Sequence, residues 1–193
     1  MKIIKVGFAI AVVGMVWLTS AQARAGQMLS GEVPPAIARL HLQPIGLLDA
    51  TNRLQLAIGL PLRNHAALDR LLSEVYDPAS KNYHHYLTRE KFTEEFGPTG
   101  QDYQSLVNFA KTNGLTITAT YPNRALLDVS GNVATINKVF HMTLRVYQHP
   151  TENRTFYAPD TEPSIDLDIP ISDVSGLNNF ELPHPVGTKN EPR

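Results

Sequence analysis

Two acidic side chains, Glu162 and Asp166, stand at the i,i+4 spacing of a coupled carboxylate pair. On a helix that spacing puts both carboxyls on one face, where they can divide acid and base duties. Here Pro163, Pro170 and the alternation Ile165-Asp166-Leu167-Asp168 predict extended chain instead. Residues four apart on a strand lie about 13 Å from one another, too far for a dyad. Ser130 and Ser175 each precede a glycine, but neither has a base at a recognisable spacing. A hydroxyl without an adjacent base is a weak nucleophile. His84 and His85 are neighbours, so their side chains diverge on a helix or a strand, and no third ligand follows at zinc-like spacing. Glycines 97, 100, 114 and 131 fall at helix stops and turns, not in a phosphate-cradling loop. Arg124, behind Pro122-Asn123, reads as a solvated turn residue. No catalytic, cofactor or metal site is expected from these residues.

The most distinctive stretch is Asp77 to Pro98, DPASKNYHHYLTREKFTEEFGP. Asp77-Pro78 forces a turn, because proline fixes its own φ and pushes the residue before it out of the helical region. Tyr83, Tyr86, Leu87, Phe92 and Phe96 supply large apolar and aromatic side chains, with Leu87, Phe92 and Phe96 able to share a helical face. His84 is read as a hydrogen-bonding member of that packing cluster, and Tyr83 and Tyr86 as core or interface aromatics. Gly97-Pro98 ends the short helix, glycine taking a left-handed conformation and proline refusing to continue. Thr99 to Asp102 is a Thr-x-x-acid helix start, continued by Tyr103, Leu106, Val107 and Ala110.

Around this stretch the elements follow from periodicity. Leu54, Leu56, Ile58 and Leu60 alternate with small or polar residues, a half-buried strand. Asn64 then caps a helix with Leu68, Leu71, Leu72 and Val75 on one face. Leu115–Thr120 and Arg124–Ser130 form a hairpin, Gly131-Asn132 opens a third helix, and Met142, Leu144 and Val146 mark a fourth strand. Phe156-Tyr157 is a candidate hairpin partner for that strand. The order β-α-(α)-β-β-α-β predicts an α+β, ferredoxin-like split βαβ fold: an antiparallel sheet with helices on one face.

Lys2 and Lys5, the 13-residue apolar run Val6–Leu18 and Ala21-Gln22-Ala23 read as an export signal. That run is short for a bilayer, which takes roughly 20 residues. An uncleaved anchor or buried helix is the rival reading, and Ala25 is a second possible cut. An exported chain, secreted or periplasmic, is expected, with no membrane contact after signal cleavage. The chain carries a net charge of −1 with scattered basic residues, which argues against nucleic acid, and no cysteine, which excludes disulfide and thiolate chemistry. Asn153-Arg154-Thr155 is a glycosylation sequon. The domain reading is 1–23 signal peptide, 24–50 proline-spotted leading arm, 51–158 core, and 159–193 an extended acidic tail with no Lys or Arg before Lys189.

The run D-P-x-S-x-x-Y-H-x-Y-L-T-x-x-x-F-x-x-x-F-G-P, followed by Asp102-Tyr103, resembles the activation (pro-) domain of the sedolisin/kumamolisin family of serine-carboxyl peptidases. The likeness covers roughly residues 52 to 180. It implies a propeptide that helps a peptidase domain fold and holds it inactive until acid pH and cleavage release it. Asp77, Pro78, Tyr83, His84, Tyr86, Leu87, Phe92, Phe96, Gly97, Pro98, Asp102 and Tyr103 carry the motif. Val174, Gly176, Leu177, Asn178 and Phe180 resemble the close of such a prodomain, expected to lie across a peptidase cleft like a substrate. The family's catalytic serine sits in a Gly-Thr-Ser context that this sequence lacks, so the chain is expected not to be an enzyme itself. The implied partner is a sedolisin-type peptidase domain, met in trans or from a split precursor. A truncated remnant without activity and an exported ferredoxin-like binding module are the alternatives. Histidines 41, 65, 84, 85, 141 and 149, with the acidic tail, are expected to weaken docking as pH falls.

Overall fold

The alternation from Arg53 becomes the strand on which the rest is assembled. The computed structural model describes residues 26–182; the expected signal peptide and the end of the expected tail lie outside the described residues. In chain order the elements are β1 (Gln27–Met28), α1 (Pro35–Arg39), β2 (Pro44–Leu47), β3 (Arg53–Gly59), α2 (His65–Tyr76), α3 (Arg89–Glu95) and α4 (Gly100–Thr112). They continue with β4 (Thr116–Thr120), β5 (Leu126–Asn132), α5 (Val133–Val139), β6 (Leu144–Gln148), β7 (Thr155–Pro159), β8 (Ser164–Ile165) and β9 (Asp173–Ser175).

The main sheet is antiparallel in the order β4-β5-β3-β9. Leu56 pairs with Val129 and Ile58 with both Leu127 and Val174, so these buried side chains share one face. Against that face pack Leu106, Val107 and Ala110 of α4 and Val133, Ile136 and Val139 of α5, joined by Phe140. Each leucine, valine, isoleucine or phenylalanine so taken from water contributes roughly 1.5–3 kcal/mol. The strand order is that of the split βαβ fold, and the class is α+β as the pattern predicts.

One strand sits elsewhere. The fourth sheet position belongs to β9, while β6 joins a second antiparallel sheet, β2-β6-β7, with β7 as its hairpin partner. Tyr147, Phe156 and Ala158 form a small separate core there, with Ile37, Leu42 and Phe180 packed against it.

Both ends are built into the body. The leading arm is pinned: β1 pairs with β8, β2 pairs with β6, and Leu29 and Ala36 are buried. The expected tail is core as far as Leu177, since Ile165, Ile171, Val174 and Leu177 are buried in the main cluster. Its acids occupy exposed or half-buried positions between those apolar residues, while Pro159 and Pro163 are themselves buried, so composition concealed an inward set spaced too irregularly to show a period.

Helix starts follow the expected chemistry at Thr99, whose hydroxyl accepts from the Asp102 N–H (3.0 Å), and at Asn132, whose side-chain Oδ1 accepts from the Thr135 N–H (2.8 Å). Asn64 does not cap α2. It lies at φ 54°, makes no side-chain cap bond, and gives its amide to the Glu95 carbonyl instead (2.8 Å). Leu72 is exposed rather than on a buried face.

Candidate protein-interaction surface

The stretch from Asp77 to Pro98 is largely surface. Asp77 ends α2 in an extended conformation and accepts from the Ala79 N–H (2.9 Å), an Asx turn that sends the chain outward over Pro78. Glu74 takes the Asn82 amide (2.6 Å), and the His84 N–H reaches back to the Val75 carbonyl (3.0 Å). These bonds fix a loop whose side chains are mostly outside. Tyr76 and Tyr86 are more than three-fifths exposed, and Tyr83 and Leu72 are also exposed.

His84 is not inside a packing cluster. At φ 57° it lies in the left-handed region, exposed, with its ring stacked on Tyr83 (3.8 Å between centroids) and near-parallel to Tyr86 (6.2 Å). Leu87 and Phe92, both half-buried, line a cavity of about 310 Å³ with Leu62, Gly97, Asn123 and Ala125. Phe96 alone of the aromatics here is buried, 5.4 Å from Phe92. Gly97 is not left-handed. It is needed for closeness, since a Cβ there would stand 2.6 Å from the Thr93 carbonyl oxygen.

What holds α3 to the body is a pair of arginines. Arg63 donates from Nε to the Gly97 carbonyl and from Nη2 to that of Glu94 (2.8 Å), while its N–H bonds the Phe96 carbonyl (2.7 Å). Arg124 donates from Nε to the Pro98 carbonyl (2.8 Å) and from Nη2 to that of Thr93 (3.3 Å). With Asn64 on Glu95, the open carbonyls at the end of α3 are met, and two cations complement the negative end of its dipole. Arg124 is therefore a tether, not a solvated turn residue. At φ 57° its backbone turns the β4–β5 tip so that the side chain reaches back to α3. A long cation at a hairpin tip is the one usable sign of it in the sequence, and nothing there points to Arg63.

Thr99 caps α4, its hydroxyl accepting from the Asp102 N–H and donating to the Asp102 carboxylate (2.6 Å). The Tyr103 hydroxyl donates to the Leu126 carbonyl (3.0 Å) and accepts from the Tyr121 N–H (3.3 Å), fastening α4 to the hairpin that carries Arg124. On the sheet side away from the helices, Gln55 and Ser175 are exposed, Ala57 and Asp128 half-buried, and Arg53 donates to the buried Ser130 hydroxyl (2.9 Å). The Tyr121 hydroxyl donates to Asp128 (2.7 Å), and that bond raises the phenol above its ordinary range.

The segment expected in a peptidase cleft is built into the domain. Val174 and Leu177 are fully buried, because they complete the edge of β3 and the core beneath it. Gly176, at φ 102°, lets the chain pass where a Cβ would stand 2.4 Å from the Gln55 carbonyl oxygen. Asn178 donates to the Glu32 carbonyl (3.1 Å), and Phe180 packs half-buried on the second sheet. Glu32 itself accepts from the Val174 N–H (3.3 Å); its burial, helped by Asp173 and Glu162, raises its carboxyl above the ordinary range.

Glu162 and Asp166 are on separate duties, the first accepting from the Glu32 N–H (3.0 Å) and the second paired with His141 Nε2 (2.9 Å). Among the described residues no serine is hydrogen-bonded to a histidine, and no three His, Asp or Glu side chains converge as metal ligands would. No described helix is long and apolar enough to cross a membrane.

The sequence matches the family model for the pro-kumamolisin activation domain over residues 41–180. It is 29% identical over 148 residues to xanthomonalisin of Xanthomonas sp. (strain T-22), a match covering 76% of this chain and 18% of that protein. To sedolisin of Pseudomonas sp. (strain 101) it is 26% identical over 155 residues, covering 79% of this chain and 26% of that protein. To kumamolisin of Bacillus sp. (strain MN-32) it is 27% identical over 100 residues, 52% of this chain and 18% of that protein. The chain thus matches between about a fifth and a quarter of the length of these relatives.

Proposed function

The chain belongs to the pro-kumamolisin activation domain family, and from that premise we propose that it works as the propeptide of a sedolisin-type peptidase, assisting its folding and holding it inactive. The observation that carries this reading is the extent of the match: residues 41–180 take in the whole four-stranded sheet, the second sheet and the Asp77–Pro98 projection. Assistance and inhibition share one thermodynamic root, because a partner that binds the native state and not the unfolded one favours the native state by mass action.

The docking surface is the projection formed by α2, the Tyr83–Tyr86 loop and α3, together with the outer side of the sheet. Exposed tyrosines suit such a role, offering large contact area for little side-chain entropy. The arginine tethers at Arg63 and Arg124 support it too, since a surface fixed in advance loses less freedom on binding. A stable complex buries roughly 1,600 Å² in total. Export through the amino-terminal segment belongs to the same reading, as does the absence of hydrolysis by this domain.

The test is a refolding and inhibition assay. An unfolded sedolisin-type peptidase domain is diluted with and without the purified chain, and its activity is followed after a further pH drop. The expected result is recovery only with the chain present, and inhibition that saturates at one chain per peptidase. Recovery unchanged by the chain, or a serine-directed probe that labels the chain itself, sinks the proposal.

A further inference from the structure

The β6–β7 turn encloses a titratable group that the docking surface does not use. His149 is only 7% exposed. Its Nδ1 accepts from the Glu152 N–H (3.0 Å), with the Thr151 N–H at 3.4 Å. A ring nitrogen that accepts carries no proton, so the neutral ring keeps its proton on Nε2, which faces Glu152 Oε1 at 3.7 Å. The face of the ring stacks on Phe180 (4.8 Å between centroids), and Phe156 meets both rings edge-on (5.8 and 5.0 Å).

Arg154 supplies the other half of the grip. It donates from Nη1 to the Asn179 carbonyl (2.9 Å) and from Nη2 to the Phe180 carbonyl, while the Glu152 carboxylate holds its Nε. The Asn179 side chain accepts from the Tyr157 N–H (2.6 Å). The parts form a series: His149 shapes the turn, the turn places Glu152, Glu152 orients Arg154, and Arg154 grips the chain just before the exposed Glu181 and Leu182.

We propose that this cluster is a proton-operated clasp on residues 179–180, closed while His149 is neutral and opened when the ring is charged. Imidazole is the side chain whose charge changes under mild acidification. A proton on Nδ1 takes the acceptor away from the two N–H groups; the oxygen beside it, Thr151 Oγ1, is 3.5 Å away, so either the turn shifts to accept that proton or the ring leaves its stack on Phe180. The charged side chains set against His149 are Glu152 and Arg154. A cationic ring draws on Oε1 of the carboxylate whose Oε2 holds Arg154 Nε, so its charge reaches the second grip as well. Tyr147 shares the same small core through Phe156, and Arg39 and Glu181 line a cavity with Phe180. Upstream, Ile165, Val174 and Leu177 stay fully buried in the main core and contain no group that titrates. Acid therefore loosens residues 179–180 while Asn178 keeps its bond to the Glu32 carbonyl and the fold persists. The consequence for a peptidase joined to or cleaving this segment rests on the propeptide reading; the clasp itself does not.

The experiment is a titration of the full chain by NMR between about pH 7.5 and 4.5, alongside limited proteolysis at each pH. The expected result is that the His149 ring, the Phe180 ring and the Asn179 and Phe180 amides move with one midpoint, while the Leu127 and Val129 amides do not. Cleavage within 178–182 rises roughly ten-fold over the same range. In His149→Gln, which keeps an acceptor but cannot charge, Phe180 and the cleavage rate stay flat. A His149 ring that does not titrate, a Phe180 signal that stays still while His149 titrates, or cleavage that rises equally in His149→Gln each overturns the clasp. Should His149→Gln not fold, the wild-type titration decides alone. An intact clasp with no inhibition of any peptidase would sink the proposed function and leave the clasp standing.

Discussion

Residues 77–98 and 159–180 invert what their sequences lead one to expect. The first is rich in aromatics at fixed spacings, yet Tyr83, His84 and Tyr86 lie outside and Phe96 is the one aromatic buried there. The second is proline-spotted and acidic, yet Ile165, Val174 and Leu177 are fully enclosed and supply an edge of the main sheet. Large side chains at fixed spacings therefore mark a surface that must keep its shape, and polar composition says little about a segment whose few apolar residues all point inward. The first region is held by hydrogen bonds from Arg63, Asn64 and Arg124 to backbone carbonyls, the second by burial. The two kinds of support fail differently when cut.

The largest effect is expected in the second region. Leu177→Ala empties a fully enclosed site and should cost about 2–5 kcal/mol, read as a shift of the urea midpoint at unchanged slope. Tyr86→Ala, at a site more than three-fifths exposed, should stay within about 0.5 kcal/mol. Equal losses from the two would break the comparison. Next comes the tether. Arg124→Ala leaves the Thr93 and Pro98 carbonyls without their charged donor and should cost about 1.5–3 kcal/mol, the range for hydrogen bonds to charged groups. Hydrogen exchange should localise the loss to α3, leaving β3 and β5 protected; a loss spread evenly over the sheet would mean that α3 is no separately held unit.

Period-two and helical patterns showed the central strand, the β4–β5 hairpin, α4, α5 and the β6–β7 hairpin, because in each the inward residues are regularly spaced. Leu56 and Ile58, or Leu106 and Ala110, disclose their face without any knowledge of partners. The place of β6 was not legible, since strand pairing is a long-range choice: Ile58 pairs with Val174, more than a hundred residues away, and that contact excludes β6 from the same edge. Arg63, Arg124 and Arg154 were missed for a related reason. Each acts on backbone carbonyls of a distant segment, and a carbonyl has no letter in the sequence. The motif residues were found by spacing, but their exposure was not, because an aromatic in a core and one on the surface are written alike.

A smaller effect on stability but a clear one on binding separates those two uses. Tyr83→Ala and Tyr86→Ala together should leave the unfolding midpoint nearly unmoved, and should weaken inhibition of a sedolisin-type peptidase about ten-fold, as loss of a modest interface hot spot does. Inhibition unchanged by the pair would move the docking surface off the projection and onto the sheet.

The smallest expected change tests how the second region is tied to the leading arm. Burial raises the Glu32 carboxyl, with Asp173 and Glu162 adding to it and the Val174 N–H opposing. For an acid raised on folding, the folded state holds the proton more tightly than the unfolded one. Its ionised form is therefore a cost at neutral pH, and the cost disappears as pH falls through the raised value into the ordinary carboxylate range. Glu32→Gln removes the charge and keeps an acceptor for Val174. The variant should be more stable than wild type at neutral pH, by less than about 1 kcal/mol because a half-exposed carboxylate is screened by water, and equal to it once the carboxyl is protonated. This trend opposes that of the clasp at His149: acid tightens the arm on residues 162–174 while it loosens 179–180. A Glu32→Gln protein less stable than wild type at neutral pH, with the gap closing on acidification, would reverse the sign and make the ionised carboxylate a stabilising tie between arm and edge strand.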